Sequence, residues 1–232
     1  MENARVSQVI NVGKIDAQGK AEATKLSKVR IIHISDTHMR HDRLNSLLPD
    51  GDILIHSGDF SQWDTKRQFG NKTRDREALV EEINRVFSSL PHKHKVLIPG
   101  NHEGGFTTKD KEYLESNLSS VIYLQDKIVT IEGLNIYGTP WTRKRWDSLA
   151  DAFTKSDKEL EPIWDMIPEE TDILVTHTPP SGICDLATKK FAGIKNLFSS
   201  TTERCDICNS CHPLFQHWGS KHLTQTVLHK IR

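Results

Sequence analysis

Short, almost wholly apolar runs recur along this chain, and four of them are followed within a few residues by a side chain that can bind a cation or move a proton. Val29, Ile31, Ile32 and Ile34 lead into Ser35-Asp36-Thr37-His38, and Ile53-Leu54-Ile55 runs through His56-Ser57-Gly58 to Asp59. Val96 to Ile98 precedes Asn101 and His102, and Ile173 to Val175 precedes His177. Apolar runs of about four to eight residues between turn signals read as strands buried on both faces. Ligands in open α/β sheets gather beyond the carboxyl ends of the strands. Four segments remote in sequence are thus expected to deliver their polar residues to one place.

The intervening pattern supplies the remaining elements. Leu79, Val80, Ile83, Val86, Phe87 and Leu90 recur at helical spacing, and Pro91 stops them. A further helix is expected from near Thr108 towards Asn117. Val121 to Leu124, Ile128 to Ile131 and Leu134 to Tyr137 read as three short strands. Glu132-Gly133 turns between the last two, which suggests a second sheet that is at least partly antiparallel. Ser156 with Glu159 forms a capping box before a short helix carrying Ile163, Trp164 and Ile167, with Pro162 early enough to be tolerated. Asp172 to Thr176 is a strand ended by Thr178-Pro179-Pro180. Met1 to Ser27 is polar and without sustained period, a loosely ordered leader with a short strand near Val9 to Val12. From Asp185 the periods fade into Thr, Ser, Lys, Cys and His. The expected division is a leader at 1–27, one α/β domain at 28–184 and a Cys/His-containing tail at 185–232.

Composition narrows the partners. The chain has 232 residues, with 31 Lys+Arg against 31 Asp+Glu, so its charge balance favours neither nucleic acid nor a membrane surface. No apolar run approaches the ~20 residues that span a bilayer, and the first thirty residues lack a secretory apolar segment. The expectation is an intracellular, cytoplasmic protein acting on a small soluble substrate. The four cysteines, at 184, 205, 208 and 211, all lie late in the chain and cannot staple the body of the fold, so reduced thiols are expected.

Asp36, His38, Asp59, Asn101 and His177 form a mixed oxygen and nitrogen set that suits Mn, Fe or Zn rather than calcium. Asp59 can give one oxygen to each of two cations, and a pair about 3.5 to 4 Å apart is the usual arrangement for phosphoester hydrolysis through an activated hydroxide. His102, beside Asn101 but not needed for coordination, is placed to protonate the leaving alkoxide, with Glu103 as the group that would orient its ring.

Asp36-x-His38, Gly58-Asp59, Gly100-Asn101-His102-Glu103 and the later His177 resemble the successive motifs of the calcineurin-like metallophosphoesterase superfamily. The wording Ser-Asp-Thr-His, His-Ser-Gly-Asp-Phe and Thr-His-Thr-Pro-Pro-Ser-Gly is most similar to its small metallophosphoesterase-domain-containing branch. The resemblance spans about Val29 to Gly182. It implies a four-layer α/β/β/α sandwich, here with its closing C-terminal strands not legible. It implies two divalent metal ions, the first on Asp36 and His38, the second on Asn101 and His177, Asp59 bridging, and His102 as catalytic acid. The activity implied is metal-dependent, phosphodiesterase-like hydrolysis of a small phosphoester or nucleotide. One motif departs from the pattern: the family's late Gly-His-x-His is missing, and no Gly-His pair occurs anywhere in the chain. One ligand per ion would then fall to water, or to a substitute among His212, His217, His222 and His229. The alternative is a catalytically impaired module that keeps the fold for binding or regulation.

Other polar residues have plainer readings. His33 and His56 lie on strands and suit hydrogen-bonded structural roles. Arg40 and His41 follow the first motif, where they either meet a substrate phosphate or face solvent. Trp141, Trp146 and Trp164 read as packing. His92-x-His94 precedes the third strand, on the far side of the sheet from the other ligands. Cys205-x-x-Cys208-x-x-Cys211-His212 has zinc-type spacing, with coincidence the stronger reading.

Overall fold

The structure is a computed structural model that describes residues 8–12, 27–41, 44–61, 72–106, 108–144, 151–178 and 228–230. Strands β1 (Gln8–Val12), β2 (Ser27–Ile34), β3 (Ile53–His56), β4 (His94–Leu97) and β5 (Ile122–Tyr123) form one sheet in that spatial order. β2 to β5 run parallel, and β1 pairs antiparallel at the edge with Val9 opposite Arg30. Helix α1 (Leu44–Leu47) lies between β2 and β3 in sequence, α2 (Lys72–Ser88) between β3 and β4, and α3 (Lys111–Asn117), after a 3-10 turn, between β4 and β5. Parallel neighbours require such crossovers, because the chain must return to the starting end before pairing again.

The second sheet has the order β11-β10-β7-β6. β6 (Lys127–Ile131) and β7 (Leu134–Thr139) form the hairpin expected from Glu132-Gly133, where Glu132 and Gly133 both take positive φ. β10 (Ile173–Thr176) pairs parallel to β7, and β11 (Leu228–Lys230) pairs antiparallel to β10 with His229 opposite Leu174. A small parallel ribbon joins β8 (Thr142–Arg143) to β9 (Thr154–Lys155), just before helix α4 (Asp157–Trp164). Two expectations are corrected. Val121 to Leu124 does not join the hairpin that follows it; β5 closes the edge of the first sheet beside β4. The tail, where no strand was legible, supplies β11.

Residue alternation along the strands explains the layering. Ile31, Ile53, Ile55, Val96 and Ile98 of the first sheet pack with Ile136, Ile173 and Val175 of the second in one dry cluster between the sheets. The alternate positions Ile32, Ile34, Leu54 and Leu97 belong instead with Leu79, Ile83, Phe87 and Leu114 of α2 and α3. Tyr137 and Leu174 likewise go with Leu160, Ile163 and Trp164 of α4. Helices, sheet, sheet and helix make four layers, and strands covered on both sides need apolar residues at every position. α4 opens on its capping box, with the Ser156 backbone N–H donating to Glu159 Oε2 at 2.9 Å. Pro162 is the sixth residue of this eight-residue helix, beyond the first turn where proline is free of cost, and the helix ends two residues later.

Trp146, the four cysteines, and His212, His217 and His222 lie outside the described residues, as does the zinc-type spacing that involves them. Among the described residues, no helix is long and apolar enough to cross a membrane.

Candidate metal centre

The carboxyl ends of β2, β3, β4 and β10 meet, as the apolar runs implied. Past those ends the first two strands stay zipped together as loops. Asp36 N–H donates to Gly58 O at 3.0 Å, His38 N–H to Asp59 O at 3.1 Å and Met39 N–H to Phe60 O at 2.9 Å. The loops leave the extended conformation while keeping those bonds: Asp36, His38, Met39 and Asp59 have φ of 54°, 44°, 62° and 56°. Left-handed backbone at a non-glycine residue is uncommon and is held only where the surroundings over-determine it. Here it turns the side chains of Asp36, His38 and Asp59 inward, to ligand atoms within 4.8 Å of one another.

Two histidines address opposite oxygens of Asp59. His38 places Nε2 3.9 Å from Asp59 Oδ2 and 4.0 Å from Asp36 Oδ1. His177, at the end of β10, places Nε2 3.3 Å from Asp59 Oδ1 and 2.9 Å from Asn101 Oδ1. Each ring is fixed from behind by a carbonyl, His38 Nδ1 by Ser61 O at 3.0 Å and His177 Nδ1 by Ser57 O at 2.8 Å. An Nδ1–H donated to a carbonyl leaves Nε2 as the atom facing forward, the one whose lone pair a metal would take in place of a proton. Donor atoms about 2.1 Å from a common centre lie at most about 4.2 Å apart. The histidine-to-oxygen separations of both groups fall inside that limit, and the widest spread in the Asp36 group, 4.8 Å, exceeds it.

Electrostatics point the same way. Burial alone would lower the His177 pKa, yet the Asp59 charge, then Asp36 and the Ser57 carbonyl, raise it far above the ordinary histidine value. Burial alone would raise Asp59, yet His177 and His102 hold its carboxyl below the usual range. A site that pulls positive charge onto a buried imidazole facing two oxygens has the donor chemistry of a cation site.

Close approach at this point depends on two glycines. A Cβ on Gly58, whose φ is +102°, would lie 2.5 Å from His177 Nδ1, and one on Gly100 would lie 2.6 Å from the Asp59 backbone nitrogen.

His102 lies on the rim. Its backbone N–H donates to Asp59 Oδ1 at 2.9 Å, its Nε2 is 3.9 Å from Asp59 Oδ2, and its ring meets His38 edge-on at 4.8 Å. The His102 side chain is 35% exposed against 1% for His177, so His102 is the more accessible of the two. Glu103 does not orient the His102 ring. It is buried, and its carboxylate accepts backbone N–H bonds from Asp59 at 2.9 Å, Ser61 at 2.8 Å and Gly100. Burial, and next the Asp59 charge, push its pKa up, while the Ser61 and Gly100 N–H groups act against them.

A further correction concerns His41, which is turned neither to the site nor to solvent. It is buried, stacked on Phe60 at 3.9 Å, with Nε2 3.2 Å from Thr37 Oγ1. The same hydroxyl lies 2.9 Å from His56 Nε2, and His56 Nδ1 accepts the Gly58 N–H at 3.3 Å. His33 is likewise internal, with Nε2 2.8 Å from Ser57 Oγ. Arg40 is exposed, and His92 and His94 lie away from the site, on Pro49 O and Glu132 respectively. The contributions of Ser57 and Ser61 went unread because they act through carbonyl oxygens, which every residue type carries.

Comparison with known proteins identifies the family. A family profile described as calcineurin-like phosphoesterase matches residues 29–204. A UPF0046 protein of Caenorhabditis elegans is 37% identical over 185 residues, covering 72% of this chain and 60% of that protein. Metallophosphoesterase domain-containing protein 1 of Homo sapiens is 33% identical over 183 residues, covering 69% of this chain and 52% of its own length. The chain therefore spans between about half and two thirds of these relatives.

Proposed function

We propose that this chain, which belongs to the calcineurin-like phosphoesterase family, is a hydrolase acting on phosphoesters through two divalent cations. Asp36, His38 and Asp59 would hold the first, and Asp59, Asn101 and His177 the second. Bound there, Mn, Fe or Zn would supply a nucleophilic water of lowered pKa and neutralise charge on the phosphoryl oxygens. The chain's own residues do the rest. Ser61 and Ser57 carbonyls fix the two imidazoles, Asp59 offers an oxygen to each group, and the partly exposed His102 donates a proton to the departing alkoxide oxygen. The substrate class that fits is a small phosphodiester or nucleotide.

The observation that carries this reading is the arrangement around Asp59, with the Nε2 atoms of His38 and His177 facing its two different oxygens. A carboxylate with only a structural role needs no such pair of pre-oriented rings. The test is hydrolysis of bis-(p-nitrophenyl) phosphate with Mn2+ by the wild-type chain and by Asp59→Asn. Manganese-dependent turnover lost in the variant is expected; equal background rates in both would refute the enzyme and favour a binding module.

A further inference from the structure

Glu103 is a fully internal carboxylate that the chemistry above does not use, and its three hydrogen bonds tie together loops from two strands. Asp59 and Ser61 lie beyond β3, Gly100 lies beyond β4, and their N–H groups converge on the two oxygens of Glu103. The residues so gripped shape the metal site. Asp59 is the carboxylate shared by both ligand groups. The Ser61 carbonyl fixes the His38 tautomer, and the Ser61 hydroxyl donates to His102 O at 2.8 Å. Gly100 precedes Asn101 and packs against Asp59 and His177 with no room for a Cβ.

We infer that Glu103 is a positioning residue, a backbone clamp that sets the orientation of the Asp59 bridge and thereby the affinity of the site for divalent cations. A glutamine would not substitute. Its amide nitrogen would face an N–H donor, two hydrogens where one lone pair is needed, and the loops would have to part at that point. The ionised carboxylate serves because both of its oxygens only accept. The inference rests on the cation site proposed above, but it concerns affinity rather than turnover.

The experiment is calorimetric titration of Mn2+ into the full chain and into Glu103→Gln, Glu103→Asp and Ile163→Ala. Ile163→Ala truncates a buried residue of α4 that takes no part in the site and controls for general loosening. Removing a partner that orients ligands costs about 10- to 100-fold in metal affinity. A loss of that size is expected for Glu103→Gln, with partial recovery in Glu103→Asp and none of the loss in Ile163→Ala. Wild-type affinity in Glu103→Gln, or an equal loss in Ile163→Ala, would overturn the clamp while leaving the proposed hydrolase intact. No Mn2+ binding by the wild-type chain would instead remove the site itself. Amide hydrogen exchange on the wild-type chain stands even if a variant does not fold: the Asp59, Ser61 and Gly100 amides should be protected, and rapid exchange at them would also overturn the clamp.

Discussion

Acid should destabilise this protein through His33, by an amount the structure allows to be worked out. The ring sits on β2 at 7% exposure, with Nε2 2.8 Å from Ser57 Oγ. Burial lowers its pKa from 6.5 to about 4. The unfolded chain therefore takes up this proton near pH 6.5, and the folded chain only near pH 4. Between those values the unfolded state binds more protons, so stability falls as the pH falls. With one unit worth about 1.4 kcal/mol, the loss comes to about 2 kcal/mol between about pH 7 and pH 5, and about 3 kcal/mol once acidification is complete. The assay is urea unfolding of the wild-type chain and His33→Gln at both pH values. Glutamine keeps a polar group towards Ser57 but does not titrate. The His177–Asp59 pair works in the opposite sense over part of this range, because the raised His177 pKa gives stability that is full below 6.5 and lost only as the pH climbs through the folded value. It is present in both proteins and cancels in the comparison. The wild-type chain should lose about 2 kcal/mol more than His33→Gln. Parallel losses in the two would mean that His33 is not a buried neutral ring and that the β2 register is wrong.

Two further substitutions test the scaffold of the site. Gly100→Ala would set a Cβ 2.6 Å from the Asp59 nitrogen and 2.7 Å from His177 Cε1. Overpacking of this kind costs about 1 to 3 kcal/mol, so a lowered melting temperature together with weakened Mn2+ binding by calorimetry is expected. Thr37→Val removes the hydroxyl between His41 and His56 and leaves buried ring nitrogens without their partner. The expected loss is about 1 to 3 kcal/mol by urea unfolding, and an unchanged midpoint would show that the Thr37 bridge does not form.

The strand ends were legible because a largely apolar run was followed within a few residues by a ligand-type residue, with Gly58 before Asp59 and Pro99-Gly100 before Asn101 marking the break at two of the four. Burial on both faces explains why the buried stretches of β2, β3, β4 and β10 read as largely apolar runs and why their tips could be named. The partner of β5 was not legible. Val121 to Leu124 stands next in sequence to a hairpin, but the crossover through α3 returns it to β4, and strand length alone does not encode that choice. His41 was misread because histidine marks polarity, whereas stacking on Phe60 and a bond to Thr37 place it inside. Glu103 was misassigned for a related reason. Adjacency to His102 suggested a side-chain partner, but its actual partners are peptide N–H groups, which leave no trace in the residue pattern. The left-handed backbone at Asp36, His38, Met39 and Asp59 is similarly silent, since none of these is a glycine.

The proposed ligand set is divided unequally between the two halves of the sandwich. Asp36, His38, Asp59 and Asn101 follow strands of the first sheet, and His177 alone follows a strand of the second. An ion gripped by Asn101 and His177 would therefore rivet the halves at a place where the oily seam between them has already given way to polar side chains. Slippage of one sheet across the other would tear that rivet before it disturbed the groups around Asp36. The two cations would then differ in mechanical duty, one seated within a single sheet and the other spanning the joint.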